Sequence, residues 1–378
     1  MKRILVFSFA YYPRLVGGAE VAVKEITDRI SSKEAIFDMV TISSGGVPAF
    51  ERIGNVNVYR VFKNFGFFPK LLFPFAAYFK ASKLYKQNTY DATWSIMANR
   101  AGFAALFFKW THPKVPFVLT LQEGDPLEYP KQRGWFVYPI FKYIFRKADR
   151  ITAISTFLAS WAKQMGAACP VSIVPNGIDY EKFSATIASS EKQKIRTSLG
   201  FTDNDVVLFT ASRLVRKNAI DAVIGSLEHL DSNYKLLILG NGDEEANLKS
   251  LASKLKVSER VVFKGYISHE ELPMYLKSSD IFVRPSRSEG LGNSFLEAMA
   301  AGIPVIGTFV GGIKDFLIEE ETGLICETDN PRSIAQKVVK ISRDKESRSY
   351  IIDNARAMVK ERYQWNGIAE KMKNVFAL

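Results

Sequence analysis

Short apolar runs alternate with longer amphipathic stretches along almost the whole chain. The first run, residues 2–10, leads into a loop holding Gly17 and Gly18 and then into apolar positions at helical spacing over 19–30. That is a strand, a loop and a helix. Further runs of strand length stand at 37–43, 56–61, 92–96, 116–122, 150–154 and 171–174, with helical segments between several of them. Strands that alternate with helices predict a mostly parallel sheet covered on both faces. The same order restarts at 206–211 and continues through 235–239, 260–263, 281–285, 304–307 and 323–326. Between the two series, the turn-rich Pro175-Asn-Gly-Ile-Asp179 and the polar residues 184–194 predict a hinge. A chain of 378 residues is long enough for two ordinary domains. The expectation is an α/β protein of two doubly wound parallel-sheet domains, residues 1–180 and 195–357. A last helical stretch over 347–378 carries Trp365, and its end, from about 358, is expected to pack back on the first domain.

Composition leaves that picture intact. A chain with 47% hydrophobic and 24% charged residues and no low-complexity tract is globular. Cys169 and Cys326 share no metal-ligand spacing with His112, His229 and His269, so neither a disulfide framework nor a zinc site is expected, and a reducing cytosol fits. Lys2 and Arg3 before an apolar run resemble a secretory signal, but Tyr11, Tyr12, Pro13 and Arg14 cut the run short. A first buried strand is the better reading. No stretch reaches the ~18 uninterrupted apolar residues of a membrane-spanning helix.

Charge does change the picture. Residues 1–180 hold 23 Lys and Arg against 12 Asp and Glu, a net of +11, whereas the remainder holds 28 against 27, a net of +1. Residues 52–90 contain Arg52, Arg60, Lys63, Lys70, Lys80, Lys83 and Lys86, no acidic residue, and eleven interleaved Phe and Tyr. A second such stretch, 131–150, contains Trp135, Phe136, Tyr138, Phe141, Tyr143 and Phe145. Rings at headgroup depth and cations on anionic lipid would suit a membrane surface. Aromatics in the core beneath a solvated basic face is the equal alternative. No nucleic-acid motif accompanies the charge, and nucleic acid is not an expected partner.

In open parallel sheets, ligands bind beyond the carboxyl ends of the strands. Ser212, Arg213 and Leu214 stand at the end of the run 206–211, with Lys217 following. A guanidinium fork and an ammonium four residues apart can both reach a diphosphate and stabilise charge developing on it as it departs. Basic pairs in loops are also common without a ligand. The richest stretch is 280–315, which includes Arg284-Pro-Ser-Arg-Ser-Glu-Gly-Leu-Gly-Asn-Ser-Phe-Leu-Glu297 and Gly311-Gly-Ile-Lys-Asp315. A strand there runs into a loop with Glu289, Gly290 and Gly292, and a helix begins near Asn293 or Ser294. Small residues let an anion approach the unpaired N–H groups of that helix. Ser294 and Glu297 also form a Ser-x-x-Glu capping box, and taken alone capping is the better reading of Glu297.

Glu289 and Glu297, seven residues apart in this Gly-rich context, resemble the signature of the retaining family-4 glycosyltransferases of the GT-B fold. The resemblance covers nearly the whole chain: Gly17-Gly-Ala-Glu20, Pro175-Asn-Gly-Ile-Asp179, Arg213 with Lys217, Gly240-Asn-Gly242 and the 280–315 block occur in the family's order. It implies two Rossmann-like domains facing each other across a cleft, the first binding acceptor and the second a nucleotide sugar. By that similarity Arg213 and Lys217 hold the donor diphosphate, Glu289 the sugar hydroxyls and Glu297 the ribose hydroxyls. The backbone of Gly290, Leu291, Gly292, Asn293 and Ser294 lines phosphate and sugar, Gly18 closes from the other domain, and the loop after Gly265 and Tyr266 borders the base. The implied reaction is metal-independent transfer of a hexose-like unit from a UDP-, GDP- or similar sugar, with retention by front-face attack. No cofactor is expected. The acceptor would be a saccharide or lipid-linked saccharide in cell-surface polysaccharide or lipopolysaccharide biosynthesis. The location would be cytoplasmic, with peripheral attachment to the inner membrane face through the basic aromatic stretches.

Two departures narrow what carries over. Where many relatives place a His, this chain has Gln122 and Glu123 in Val118-Leu-Thr-Leu-Gln-Glu-Gly-Asp125, so Gln122, Glu123 and Asp125 are candidate acceptor or sugar contacts. Asp91-Ala-Thr-Trp-Ser-Ile-Met97 also lacks the more usual His and suggests a distinct acceptor pocket. Rival readings fare worse. Gly240-Asn-Gly-Asp-Glu-Glu245 lacks the third Gly of a dinucleotide fingerprint, and no P-loop is present. Asp203-Asn-Asp205 precedes a strand and reads as a solvated turn. A sugar-nucleotide epimerase, a phosphorylase-like enzyme or a silent sugar-nucleotide-binding relative are the remaining alternatives.

Overall fold

The computed structural model describes residues 1–377 apart from 126, 127, 129, 130 and 133–136. Trp135 and Phe136, singled out above, lie outside the described residues. The chain divides into two compact units, Met1–Gly177 with Trp365–Leu378, and Ile178–Gln364.

The first unit is built on β1 (Lys2–Phe7), β2 (Ala35–Ile42), β3 (Phe50–Ile53), β4 (Val56–Val61), β5 (Ala92–Ile96), β6 (Phe117–Leu121), β7 (Arg150–Ala153) and β8 (Val171–Ile173). Their order across the sheet is β3-β4-β2-β1-β5-β6-β7-β8. All pairs are parallel except β3 with β4. Seven of the eight are visible in sequence, the inner strands because burial on both faces makes them apolar runs and the exposed edge strand β8 because no charged residue interrupts it. The exception, β3, is a short edge strand whose side chains alternate between exposed and half-buried. Tyr363 and Gln364 break the final helical stretch into two helices, Lys345–Arg362 in the second unit and Trp365–Phe376 in the first. Trp365, Ile368, Met372 and Phe376 form one stripe of the latter. They join the core of Ala22, Val23, Ile26, Phe37 and Trp94, with Phe376 edge-on to Trp94 at 5.2 Å.

The second unit holds β9 (Val206–Ala211), β10 (Tyr234–Leu239), β11 (Val261–Gly265), β12 (Ile281–Arg284), β13 (Val305–Thr308) and β14 (Leu324–Cys326). They lie in the order β11-β10-β9-β12-β13-β14, all parallel. The chain crosses between units at 177/178, so most of the expected hinge belongs to the second unit. Asp179 caps a short helix, Tyr180–Ser184. The polar residues expected as linker supply much of a helix, Ser189–Ser198, whose Arg196 is buried and pairs with Asp280 at 3.0 Å.

Candidate active site

In the second sheet the strand order reverses between β9 and β12, the switch point at which open α/β sheets hold ligands. Arg213 and Lys217 follow β9, while Glu289 to Ser294 follow β12, so the two predicted groups flank that point. Their loops are joined directly, since the Arg287 amide donates to the Lys217 carbonyl at 2.7 Å.

The residue that orders both loops is one to which sequence reading assigned no role. Arg284 ends β12 and is 8% exposed. Its guanidinium forms an ion pair with Glu289, donates to Ser294 Oγ at 2.7 Å and to Ser286 Oγ at 3.2 Å, and reaches Asn218 Oδ1 at 3.5 Å. Asn218 in turn donates through Nδ2 to the Arg213 carbonyl at 2.7 Å. Burial pushes the Arg284 pKa down to about 10, with Glu297 opposing the shift and Arg213 reinforcing it, so the group stays charged at neutral pH.

The Glu289 carboxylate also accepts the Gly290 amide at 3.0 Å. Ionised oxygens have more than one lone pair each, so capacity for a ligand hydroxyl remains. The Glu289 carbonyl accepts the Gly312 amide at 3.0 Å. A Cβ on Gly311 would lie 1.9 Å from that carbonyl oxygen at a φ of +53°, so only glycine lets this turn close on the Glu289 loop.

The expected capping box is absent. The helix Asn293–Ala300 starts from Gly292 in the left-handed region, with no side-chain cap. Ser294 therefore lies inside the helix and receives Arg284. Glu297, 9% exposed, instead meets His269 Nε2 at 2.9 Å. His269 follows β11 and packs against Phe183, ring centroids 5.4 Å apart. Its hydrogen bond to Glu297 raises the imidazole pKa above the ordinary value, against the opposing effects of burial and Lys182. Sequence reading missed this pair as well as Arg284 and Asn218. The available signals were a charged residue ending an apolar strand and a His in the loop expected to border the base. Leu291 is 1% exposed, whereas Asn293 and Ser294 are half-buried.

In the first sheet the switch point lies between β1 and β5. Gly18 begins the helix Gly18–Asp28 that follows β1, is exposed, and would meet nothing within 4 Å of an added Cβ. Gln122 and Glu123 follow β6, beside β5. Gln122 Oε1 accepts Asn176 Nδ2 at 3.1 Å. The half-buried Glu123 carboxylate accepts the amides of Ala98 at 2.6 Å and Gln122 at 2.9 Å, which pins the turn in which Met97 takes a φ of +70°. Asp125 is exposed and adds its charge to the Glu123 environment.

Burial raises the Glu123 pKa from 4.5 to about 7, the backbone amides of Ala98, Glu123 and Gln122 only partly opposing it. Between those values the folded chain keeps a proton that the unfolded chain has lost. Its contribution to stability is full below pH 4.5, declines as pH rises to about 7 and is flat above. Glu123→Gln should remove that slope. Urea midpoints for both proteins at acid and at neutral pH check it, and parallel pH profiles would refute the assignment.

Asp203-Asn-Asp205 lies at the opposite, amino-terminal edge, where Asp205 accepts the Thr202 amide at 2.7 Å. A cavity of about 340 Å³ opens there too, lined by Lys192, Arg196, Asp203 and Asp280 among others. Arg196 and Asp280 in its wall are already paired, and the switch-point geometry is the stronger guide to the ligand.

Residues 16–182 match the model of Glycosyltransferase Family 4, and residues 191–358 that of Glycosyl transferases group 1. An uncharacterized glycosyltransferase of Methanocaldococcus jannaschii is 28% identical over 100% of this chain and 98% of its own length. A GDP-mannose-dependent monoacylated alpha-(1-6)-phosphatidylinositol monomannoside mannosyltransferase of Corynebacterium glutamicum is 29% identical over 64% of this chain and 66% of its own. The crystal structure of Anabaena HepE in complex with UDP and glucose superposes with a TM-score of 0.83 at 19% identity, covering 100% of both chains.

Proposed function

Because the chain belongs to the GT-B glycosyltransferases that join a family 4 amino-terminal half to a group 1 carboxy-terminal half and use a nucleotide-sugar donor, we propose that it transfers a hexose-like unit with retention to a saccharide or lipid-linked saccharide. The observation that carries the proposal is the placement of Arg213, Lys217, Glu289 and the Glu297–His269 pair around one switch point, braced by Arg284.

In this reading the donor diphosphate lies between Arg213 and Lys217 on one side and the first N–H groups of the helix Asn293–Ala300 on the other. Glu297, oriented by His269, takes the ribose hydroxyls, and Glu289, oriented by Arg284, takes those of the sugar. As the acceptor oxygen bonds to the anomeric carbon on the face the diphosphate leaves, the carbon–phosphate-oxygen bond breaks. The acceptor proton passes to the departing diphosphate. Arg213 and Lys217 supply the positive charge that this leaving group needs, so the reading requires no metal. The relatives' names, a UDP complex for HepE and GDP-mannose dependence for the mannosyltransferase, support a nucleoside-diphosphate sugar as the donor.

A thermal-shift panel of UDP-, GDP-, ADP- and dTDP-sugars tests it. A donor at ~100 times its dissociation constant adds roughly 2.7 kcal/mol to stability. One nucleotide class is expected to stand out, followed by release of its diphosphate only when acceptor is present and by a product with the donor's anomeric configuration. Conversion of the donor to its epimer with no net diphosphate release would instead favour an epimerase, consumption of the donor only with added inorganic phosphate a phosphorylase, and inversion would sink the retaining mechanism.

A further inference from the structure

The helix Phe67–Gln87 buries Phe73, Ala77, Ala81 and Leu84 against the first sheet. The opposite face of a surface helix is ordinarily polar. Here the outward stripe, spaced at i, i+4, i+7, i+11, i+15 and i+18, reads Phe68, Leu72, Phe75, Phe79, Lys83, Lys86. Its four apolar members are 70%, 47%, 52% and 68% exposed, and both lysines are exposed. Phe67 and Leu71 widen it. Phe75 stacks on Phe107 of the helix Arg100–Thr111, centroids 5.3 Å apart, and Phe107 continues to the half-exposed Trp110 at 5.6 Å. A contiguous apolar face of this extent marks an interaction surface.

Charge identifies its occupant. From Glu51 to Glu123 the only intervening acidic residue is Asp91, against ten Lys and Arg. Lys70 lies over the Phe65 ring at 4.1 Å and Lys80 over Tyr59 at 4.8 Å, so ammonium groups also fringe the aromatic face. Among the described residues no helix is long and apolar enough to cross a membrane. Exposed Phe flanked by Lys, with no acid to repel phosphate, matches a bilayer interface containing anionic lipid. We propose that this face docks the first unit in the plane of an anionic membrane.

The position of the face names a substrate class, resting for this on the proposed transfer. Phe9, just beyond the carboxyl end of β1 at the first switch point, packs edge-on to Phe73 at 5.2 Å and near Phe65 at 6.5 Å, with Arg100 over its ring at 5.2 Å. The amino-terminal end of the docking helix thus adjoins the edge where an acceptor binds. A lipid-anchored acceptor, rather than a freely diffusing one, would meet the first unit at that edge.

Flotation of the full chain with vesicles tests docking without any nucleotide sugar. Wild type should rise with phosphatidylcholine vesicles containing about one-third phosphatidylglycerol and stay behind with pure phosphatidylcholine. Lys83→Glu with Lys86→Glu should weaken binding more than ~10-fold, and Phe68→Ser with Phe75→Ser and Phe79→Ser should abolish it. These side chains are exposed, so both variants should keep the wild-type melting temperature and its shift with donor. That shift reports the proposed transferase site separately. Wild type that ignores anionic vesicles, binds neutral ones equally well, or is matched by the variants overturns the proposal. A dimer dissolved by the Phe substitutions would also overturn it, by assigning the face to a second copy of the chain.

Discussion

Arg284→Met is expected to destabilise the second unit by about 3–5 kcal/mol and to abolish transfer, because it leaves the largely buried Glu289 carboxylate without its compensating charge. Both partners of the pair are about nine-tenths buried as side chains. Ser294 and Asn218 lose a donor at the same time, and with Asn218 goes the link to the Arg213 carbonyl. The cost comes from the stranded acid more than from the lost attraction. Adding Glu289→Gln to Arg284→Met should therefore recover much of the stability without recovering activity. Urea unfolding of the single and double variants decides the matter. A single variant within about 0.5 kcal/mol of wild type would mean that the pair does not brace the loops.

Arg213→Ala should have the opposite profile, a fall in kcat of roughly 10²–10³ with stability nearly unchanged. Arg213 is exposed, and the contact that positions its loop is made by its own backbone carbonyl, which alanine retains. What alanine removes is the guanidinium at the carboxyl end of β9, where the departing diphosphate would gather charge. Lysine in its place keeps the charge but loses the planar fork, so Arg213→Lys should fall between the two. Initial rates of nucleoside diphosphate release at saturating acceptor, beside thermal melts, measure both halves of the prediction. A kcat within about threefold of wild type would place the diphosphate elsewhere.

Taken together, the two substitutions separate what sequence shows from what it hides. The inner strands of both sheets were legible as apolar runs because burial on two faces leaves few polar positions to interrupt them. β3 was hidden because its exposed edge admits Glu51 and Arg52 in the middle of a four-residue strand, which interrupts the apolar run. Arg213, Lys217 and Glu289 were legible because each follows a strand closely, and strand ends are where these sheets present ligand-binding loops. Glu297 was found but locally misread. Ser294 and Glu297 have the spacing of a capping box, yet Gly292 starts the helix earlier, and the two side chains are taken by Arg284 and by His269.

The amino-acid order by itself determined the α/β series, the basic aromatic half and the residues at the strand ends, since periodicity, charge and adjacency are local properties. Only the tertiary structure decided which of those residues meet. Asn218 and Arg284 are 66 residues apart, and His269 and Glu297 are 28 apart. Parallel strands, whose crossovers carry the chain through a helix before each return, bring such distant positions to one edge. Folding also divided the aromatics, placing Phe73 in the core and leaving Phe68, Phe75 and Phe79 on the surface of the same helix. A helix turns each successive residue by about 100°, so neighbours of identical chemistry face different surroundings, and packing against the sheet selects which are covered.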